Sequence, residues 1–199
     1  MSEAVGRSAR IERRTSETDI VLEFNLDGDG TSRIDTGIGF FDHMLNAFSR
    51  HGLFDLTLRC KGDLVVDAHH SVEDVGICLG QAVDRALGDK VGIERFGSSY
   101  VPMDDALARA VIDLSGRSFL SLHASFSTEQ VGAFPVALVR EFFRAFSDQA
   151  NLNLHIDLLR SVDDHHGIEA IFKACGRALD QASFRGGRIE GVLSTKGTL

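Results

Sequence analysis

Hydrophobic and polar residues follow one another along this chain in a pattern that predicts a definite order of strands and helices. Residues 18–26 and 31–36 have strand character, and the run Asp-Gly-Asp-Gly at 27–30 between them is a strong turn signal, which predicts a hairpin. Three further elements follow from the spacing of apolar residues: a helix over 40–50, a strand over 53–60 and a helix over 71–87. The first half of the chain therefore predicts the order ββαβα.

The second half of the chain predicts the same order. Its elements are strands near 108–114 and 118–125, a helix near 136–150, a strand near 152–159 and a helix from about 167 to 182. Aligning residues 69–86 with 165–182 gives seven identities in 18 positions, namely both histidines, the glutamate, a glycine, an aspartate and two alanines, and Ala-Phe-Ser recurs at 47–49 and 145–147. We therefore predict an α+β protein with an internal duplication: two half-domains, each a small sheet with helices on one face, packed together through the helices.

The domain boundaries follow from this duplication. We expect the first ββαβα half at 11–92 and the second at 93–186. Residues 1–10 lack periodicity and predict a flexible N-terminus, and residues 187–199 form a C-terminal segment that contains Ser-Thr-Lys-Gly.

Composition and charge narrow the class of protein. The 199 residues are 43% hydrophobic, and 29 acidic residues against 21 basic ones give a net charge of −8, which disfavours binding to nucleic acid or to anionic membranes. No apolar run approaches the roughly 20 residues that span a bilayer, and the N-terminus has no apolar region, so we expect a cytoplasmic protein. Cys60, Cys78 and Cys175 are odd in number and have apolar neighbours, which predicts buried reduced thiols.

The motif His-His-x-x-Glu occurs twice, each time at the start of a predicted amphipathic helix. Its residues are His69, His70, Glu73, His165, His166 and Glu169. Spacings of three and four residues bring a histidine near the glutamate, and imidazole with carboxylate is a metal-ligand set. One copy would be as compatible with an ordinary polar helix terminus, but a structural role does not explain why the same polar side chains recur while most neighbours differ.

The duplication also predicts how these residues are grouped. Adjacent histidines at a helix start point in different directions, so each pair suits two metal centres better than one. If the two halves are related by a pseudo-twofold axis, two sets of four ligands follow: His43, His70, His165 and Glu169 in one, and Glu141, His166, His69 and Glu73 in the other. Donors of this kind suit manganese or iron as well as zinc, so the spacing leaves the metal open.

A phosphate site is indicated more weakly. Arg95, Arg117 and Lys196 lie in loop-like sequence, and Lys196 belongs to the Ser-Thr-Lys-Gly run at 194–197, whose hydroxyls, backbone amides and cation suit a phosphate. The role of the pair Asp104 and Asp105 stays open at this stage.

Seven separated pieces of the chain together resemble the imidazoleglycerol-phosphate dehydratase family, in the order that the family has them. These pieces are residues 15–18, 37–45, 69–76, 101–107, 140–143, 165–174 and 194–197. The resemblance spans about residues 10–198 and implies a lyase of histidine biosynthesis that removes water from imidazole glycerol phosphate to give imidazole acetol phosphate.

The resemblance also implies roles for individual residues. It implies two Mn2+ ions per active site, held by His43, His69, His70, Glu73, Glu141, His165, His166 and Glu169. It implies contacts to the small phosphorylated substrate from Glu17, His43, His51, His69, Arg95, Arg117, His165, Lys173, Ser194, Thr195, Lys196 and Gly197. Glu17 and Glu169 are the catalytic acid/base candidates, and Glu141 is a departure, because many members carry histidine there.

The reaction explains the need for metal. The hydrogen to be lost lies beside a hydroxyl rather than a carbonyl, so a base of pKa about 4 to 7 has little chance of removing it directly. We expect the substrate's imidazole, held as a metal-bound imidazolate, to expel hydroxide through a diazafulvene-like intermediate. The resemblance further implies a homo-oligomer, an octahedral assembly of 24 subunits with ligands from more than one chain.

Two other readings of the residues remain open. A dinuclear metallohydrolase would use a metal-bound hydroxide on a phosphoester. A metal-storing or structurally metallated assembly protein would bind metal tightly without turnover, although Arg95, Arg117 and Lys196 argue mildly against it, because stored cations need no anion site.

Overall fold

The computed structural model describes residues 6–199, and their elements repeat in the same order. The first half contains β1 (Ser8–Arg14), β2 (Thr18–Asn25), β3 (Ser32–Asp35), α1 (Gly39–Gly52), β4 (Asp55–Gly62) and α2 (His69–Leu87). The second half contains β5 (Phe96–Met103), β6 (Ala106–Asp113), β7 (Phe119–His123), the short pair β8 (Gln130–Val131) and β9 (Phe134–Pro135), α3 (Leu138–Gln149), β10 (Asn153–Arg160) and α4 (Asp164–Ser183). The α+β class and the internal duplication are thus confirmed.

The two main sheets have the same topology. Their strand orders are β1-β2-β4-β3 and β5-β6-β10-β7. In each sheet the first three strands are antiparallel neighbours and the last lies parallel to its partner. The strand pair β8 and β9 is separate and belongs to the second half only.

Apart from the short pair β8 and β9, each half holds one strand more than the predicted ββαβα. The sequence pattern missed β1 because Ile11 is its only buried residue, so a strand at the sheet edge carries little hydrophobic alternation. It missed β5 because two of its three inward positions are Gly97 and Ser99, which are small or polar. Each half is therefore βββαβα.

The predicted hairpin between 18–26 and 31–36 is wrong. Strand β3 pairs with β4 in parallel and makes no ladder with β2. The turn at 27–30 leads the chain past the end of β4, where the Asp55 carboxylate accepts hydrogen bonds from the backbone N–H groups of Asp29 and Thr31 at 3.0 and 3.2 Å. A turn signal in the sequence predicts that the chain changes direction, but it does not predict which strand pairs with the one that follows the turn.

The predicted terminal segments differ from each other. Residues 1–5 of the predicted N-terminal segment 1–10 lie outside the described residues, and residues 8–10 belong to β1, so the first half begins earlier than residue 11. Residues 187–199 contain no helix or strand, but they are tied to the second half: the guanidinium of Arg95 donates to the carbonyl of Leu193 at 2.8 Å.

The helices lie on one face of each sheet and join the halves, as predicted. Helix α2 covers β1 and β2, α4 covers β5 and β6, and across the interface α2 packs on α3 while α1 packs on α4. No helix of the described residues is long and apolar enough to cross a membrane.

The glycine shared by the two repeats explains the close helix packing. A Cβ on Gly80 would lie 2.6 Å from the carbonyl oxygen of Phe146, and a Cβ on Gly176 would overlap the carbonyl oxygen of Phe48. Phe48 and Phe146 are the central residues of the two Ala-Phe-Ser repeats. Glycine is therefore required where each helix crosses the helix of the other half.

The cysteines are buried and free, as predicted. Burial raises the pKa of Cys60 to about 11 and that of Cys78 to about 12, so both thiols are protonated and unreactive at neutral pH.

Candidate metal and substrate sites

Where α1 crosses α4, two histidines surround one carboxylate. His165 and Glu169 share a face of α4, and His43 reaches them from α1. The Oε2 atom of Glu169 lies 3.2 Å from Nε2 of His43 and 3.4 Å from Nε2 of His165. The candidate ligand atoms of these three residues all lie within 4.8 Å of one another, which is close enough to hold one metal ion.

A second cluster of the same kind lies where α2 packs on α3. His69 and Glu73 share a face of α2, with His69 Nε2 3.9 Å from Glu73 Oε2, and Glu141 reaches them from α3. Their candidate ligand atoms also lie within 4.8 Å of one another. Glu141 thus takes the position that His43 has in the first cluster, as the pseudo-twofold predicted.

An aspartate fixes the start of each helix that carries the histidine pair. The backbone N–H of His69 donates to the Asp67 carboxylate at 2.7 Å, and that of His165 donates to Asp163 at 2.8 Å. A carboxylate at this position satisfies an otherwise unpaired N–H and favours the helix dipole. The first turn, and with it the direction of each histidine pair, is therefore held in the same way in both halves.

The predicted sets of four ligands do not form within one chain. His70 and His166 point away from the clusters that the other six residues form, so each cluster holds three of its four predicted members. Adjacent residues on a helix lie about 100° apart, which sends the second histidine of each pair toward its own sheet.

The second histidines have carboxylate partners of their own. His70 Nδ1 lies 3.0 Å from Asp63 Oδ2, and His166 Nδ1 lies 2.6 Å from Asp105 Oδ1. These hydrogen bonds raise the pKa of His70 and that of His166 above the ordinary value. Since Nδ1–H donates to a carboxylate, Nε2 is the atom left for a ligand role. Sequence reasoning assigned no role to Asp63 and left the role of Asp105 open.

A basic residue forms an ion pair with the carboxylates of each cluster. Lys173 Nζ lies 2.6 Å from Glu169 Oε1, and one guanidinium nitrogen of Arg144 lies 2.6 Å from Glu73 Oε1 and 2.9 Å from Glu141 Oε2. Sequence reasoning missed Arg144, although its position three residues after Glu141 was a usable signal.

The first cluster's carboxylate is held ionised. Burial opposes ionisation of Glu169, but the hydrogen bonds from Lys173 and His43 outweigh it, and the pKa of Glu169 lies below its ordinary value. Glu169 is also buried, with 7% of its surface exposed. An ionised, shielded carboxylate is suited both to ligate a cation and to accept a proton.

Glu17 lies in the turn between β1 and β2, beside the second histidine of its own half. Its Oε1 atom is 3.8 Å from His70 Nε2. Its backbone N–H donates to Thr15 Oγ1 at 3.1 Å, and its carbonyl accepts from the N–H of Asp63 at 3.0 Å. The turn therefore presents the carboxylate of Glu17 next to the Nε2 atom of His70.

A cationic cavity of about 540 Å³ lies between the C-terminal segment and the second sheet. Its lining includes the predicted phosphate residues Arg95, Arg117, Ser194, Thr195 and Lys196. Gly197 follows in the same turn, and its N–H donates to the carbonyl of Ser194 at 3.0 Å. The cavity gathers two arginines, a lysine and hydroxyls, a combination suited to an anion.

The two arginines of this cavity are held differently. The guanidinium of Arg95 contacts Asp113 through two nitrogens at 2.7 and 3.1 Å and donates to the carbonyl of Leu193 at 2.8 Å. The guanidinium of Arg117 makes only one hydrogen bond within the described residues, to the carbonyl of Ser115 at 3.5 Å. Arg95 therefore anchors the C-terminal segment, and Arg117 has more donors to spare for an anion.

His51 lines a different cavity, of about 560 Å³, together with Arg177 and Asp180. Burial, helped by the nearby charges of Lys173 and Arg177, lowers the pKa of His51. One chain therefore does not gather all the predicted substrate residues into one pocket.

Comparisons with known proteins identify the family of this chain. The family model described as imidazoleglycerol-phosphate dehydratase matches residues 36–179. The imidazoleglycerol-phosphate dehydratase of Acetivibrio thermocellus is 56% identical over 193 residues, covering 97% of this chain and 99% of that protein. That of Lachnoclostridium phytofermentans is 54% identical over 195 residues, covering 98% and 100%.

Solved structures of this family superpose on the chain. The enzyme of Staphylococcus aureus is similar with a TM-score of 0.80 and 43% identity, covering 88% of this chain and 97% of that one. The enzyme of Pyrococcus furiosus is similar with a TM-score of 0.82 and 34% identity, covering 95% and 100%. With identities of this size over nearly the whole length, the chain belongs to the imidazoleglycerol-phosphate dehydratase family, the hydro-lyases of histidine biosynthesis.

Proposed function

We propose that this chain removes water from imidazole glycerol phosphate to give imidazole acetol phosphate. The substrate has an imidazole ring, neighbouring hydroxyl groups and a phosphate, and the described surface holds groups of matching chemistry. The observation that carries the proposal is the pair of equivalent clusters, His43 with His165 and Glu169 and their counterparts on α2 and α3. The cationic cavity around Lys196 supports the phosphate part of the assignment.

The donor sets of both clusters fit manganese. Each brings three nitrogen and oxygen donors within 4.8 Å, and the buried thiols lie elsewhere. Mixed imidazole and carboxylate donors suit Mn2+. We propose two Mn2+ ions per active site, which as Lewis acids would stabilise negative charge on the substrate's imidazole.

Two further ligands would come from neighbouring copies of the chain. His70 and His166 lie apart from the clusters of their own chain, and each keeps Nε2 at 3.8 Å from the nearest carboxylate while Nδ1 is hydrogen-bonded. Assembly into the expected 24-subunit shell would bring them to the clusters of neighbours. Metal binding would then stabilise the assembly, because a ligand that binds only the assembled form favours it.

Glu17 and Glu169 would carry the proton transfers. Glu169 is ionised beside Lys173, so it is ready to accept a proton. Glu17 is presented on a tight turn beside His70. General acid–base groups of this kind typically contribute 10²- to 10⁴-fold to a rate.

The phosphate would be held by the cavity of the C-terminal segment. Arg117 and Lys196 would supply the charge, and Ser194, Thr195 and the backbone of Gly197 would supply hydrogen bonds. Arg95 would fix the segment in place through Asp113 and Leu193. A phosphate held in place at the end of the glycerol chain orients the substrate for the chemical step.

The first test follows formation of imidazole acetol phosphate by protein stripped with a chelator, before and after Mn2+ is added. We expect turnover only with metal. Release of inorganic phosphate would instead favour a dinuclear hydrolase, and stoichiometric uptake of manganese without any turnover would favour a storage or structural metal protein.

A variant ties the clusters to the chemistry. Glu169→Gln keeps the shape of the side chain and removes its charge, so we expect turnover and manganese affinity to fall together. Asp148→Asn, an exposed carboxylate change on α3, is the control and should alter neither. Normal turnover in Glu169→Gln would remove Glu169 from the mechanism.

A further inference from the structure

A buried polar cluster lies beneath the turn that carries Glu17. Thr18, at the start of β2, donates from Oγ1 to Oδ2 of Asp74 on α2 at 2.5 Å. Arg13 on β1 contacts the other oxygen of Asp74 at 2.9 Å. Thr18 and Asp74 are 3% and 6% exposed, whereas the Arg13 side chain keeps 34% of its surface exposed, so the hydroxyl and the carboxylate, but not the guanidinium, lie where apolar side chains are usual.

The cluster is two hydrogen bonds away from Glu17. Thr18 Oγ1 lies 3.3 Å from Thr15 Oγ1, and Thr15 Oγ1 accepts from the backbone N–H groups of both Glu17 and Thr18, at 3.1 and 3.0 Å. On the other side, the carbonyl of Glu17 accepts from the N–H of Asp63, whose carboxylate contacts His70. Asp74 therefore holds one side of the turn on which Glu17 lies.

The second half of the chain is an internal control. Strands β5 and β6 pair in the same register as β1 and β2, and α4 carries the same His-His-x-x-Glu motif as α2, so the positions of Arg13, Thr18 and Asp74 are taken there by Val101, Ala106 and Ala170. All three of these apolar residues are buried. The duplicated fold thus has buried apolar residues at all three equivalent positions.

Stability does not account for the polar version. An ion pair whose carboxylate is buried is seldom better for stability than apolar residues of similar shape. In addition, Nε of Arg13 is buried without a hydrogen-bond partner among the described residues, which costs free energy. The half that keeps the cluster is the half whose turn carries Glu17.

We infer that Thr18 and Asp74, supported by Arg13, are positioning residues that fix the Glu17 turn for proton transfer. A hydrogen-bonded buried network holds one arrangement where a small apolar junction permits several. A misplacement of about 1 Å at a catalytic group can cost 10²-fold in rate. This inference rests on the proposed function, because it needs Glu17 to act on the substrate.

The decisive comparison is Thr18→Val against Thr18→Ser, in metal-loaded protein of full length. Valine has nearly the shape of threonine but lacks the hydroxyl, whereas serine keeps it. For Thr18→Val we expect kcat to fall about 10- to 100-fold with KM, manganese content and assembly size within about twofold, and Thr18→Ser should recover most of that loss.

Two further variants make the result independent of folding. In Arg13→Val/Thr18→Ala/Asp74→Ala the first half receives the three apolar residues that the second half has at these positions, and kcat should fall at least as far as in Thr18→Val. Asp55→Asn, which weakens a different turn at 27–31, should lower thermal stability and leave kcat unchanged.

The outcomes separate the two proposals. An inactive wild-type protein contradicts the proposed function, and a fully active Glu17→Gln removes Glu17 from the reaction. If the wild type is active and Glu17→Gln is impaired, two results would overturn the positioning role. One is a wild-type kcat in Thr18→Val, and the other is a loss of kcat that accompanies loss of metal or of assembly.

Discussion

Glu141 on α3 is the structural counterpart of His43 on α1. Each reaches from a helix of one half to a histidine and a glutamate on a helix of the other. The exchange of imidazole for carboxylate makes the clusters chemically unequal: His43 lies with one carboxylate, whereas Glu141 raises the number in the second cluster to two. The two candidate metal sites should therefore differ in affinity, although they are related by the duplication.

The first prediction concerns this inequality. Carboxylates favour manganese, and imidazole suits zinc and other late transition metals at least as well. In Glu141→His we expect weaker manganese binding at the second cluster and a higher ratio of zinc to manganese affinity. Competitive titration with the two metals measures this ratio, and an unchanged ratio would mean that Glu141 does not ligate the metal.

The second prediction concerns Arg144. Its guanidinium occupies the space between the carboxylates of Glu73 and Glu141, so a metal ion must compete with it. In Arg144→Gln we expect tighter manganese binding and a metal-free protein less stable by up to about 1 kcal/mol, since this partly exposed ion pair is screened by solvent. Calorimetric titration and thermal unfolding measure the two effects.

Arg140→Gln is the matched control for this experiment. Arg140 lies on the same helix but donates to the carbonyl of Leu122, away from the carboxylates. We expect its manganese affinity to equal that of the wild type. Weaker manganese binding in Arg144→Gln would show that the arginine organises the carboxylates instead of competing with the metal.

The third prediction concerns the carboxylates behind the second histidines. Asp63 and Asp105 hold Nδ1 of His70 and His166, and partners of this kind typically contribute 10- to 100-fold in metal affinity. Asp63→Asn and Asp105→Asn should each weaken manganese binding by about that factor in the assembled protein. If both variants bind manganese like the wild type, His70 and His166 are not ligands.

The sequence predicted the duplication and the composition of the clusters because both depend on local patterns. Helical periodicity and the repeated His-His-x-x-Glu place His69 and Glu73 on one face whatever the rest of the chain does. Aligning the two repeats then placed Glu141 at the position equivalent to His43, and this alignment does not depend on how the strands pair.

Features that depend on contacts between distant parts of the chain could not be predicted from local sequence patterns. Strand β3 has two possible neighbours, and the choice of β4 over β2 is made by the crossover through α1, which leaves no local signal. The separation of His70 from His43 depends likewise on which helices pack together. Asp105 lies in a two-residue turn between β5 and β6, and the missed β5 hid its relation to His166.

The fourth prediction concerns pH and the turn after β2. Burial opposes ionisation of Asp55, but hydrogen bonds from Asp29, Asn25 and Thr31 outweigh it and lower the pKa of Asp55 below its ordinary value of 3.8. A carboxyl group with a lowered pKa in the folded state stabilises the protein above that ordinary value, and this contribution is lost as the pH falls through the folded-state pKa.

Unfolding curves between pH 2 and 6 measure this contribution. The free energy of unfolding should fall less steeply below pH 4 in Asp55→Asn than in the wild type, and at pH 6 the variant should be less stable by about 1 kcal/mol. Parallel curves for the two proteins would show that Asp55 has the same pKa in the folded and unfolded states.

The fifth prediction separates the two arginines of the cationic cavity. Arg95 is engaged by Asp113 and Leu193, so Arg95→Ala leaves a carboxylate without its partner and releases the C-terminal segment, and we expect lower thermal stability together with a raised KM. The side chain of Arg117 has a single long hydrogen bond within the described residues, so Arg117→Ala should raise KM with little change in stability. Loss of one charge-assisted contact to phosphate corresponds to roughly a tenfold or larger rise in KM.

Inorganic phosphate should protect Arg95→Ala against heat less than it protects the wild type. An Arg117→Ala variant with the wild-type KM would place the phosphate outside this cavity.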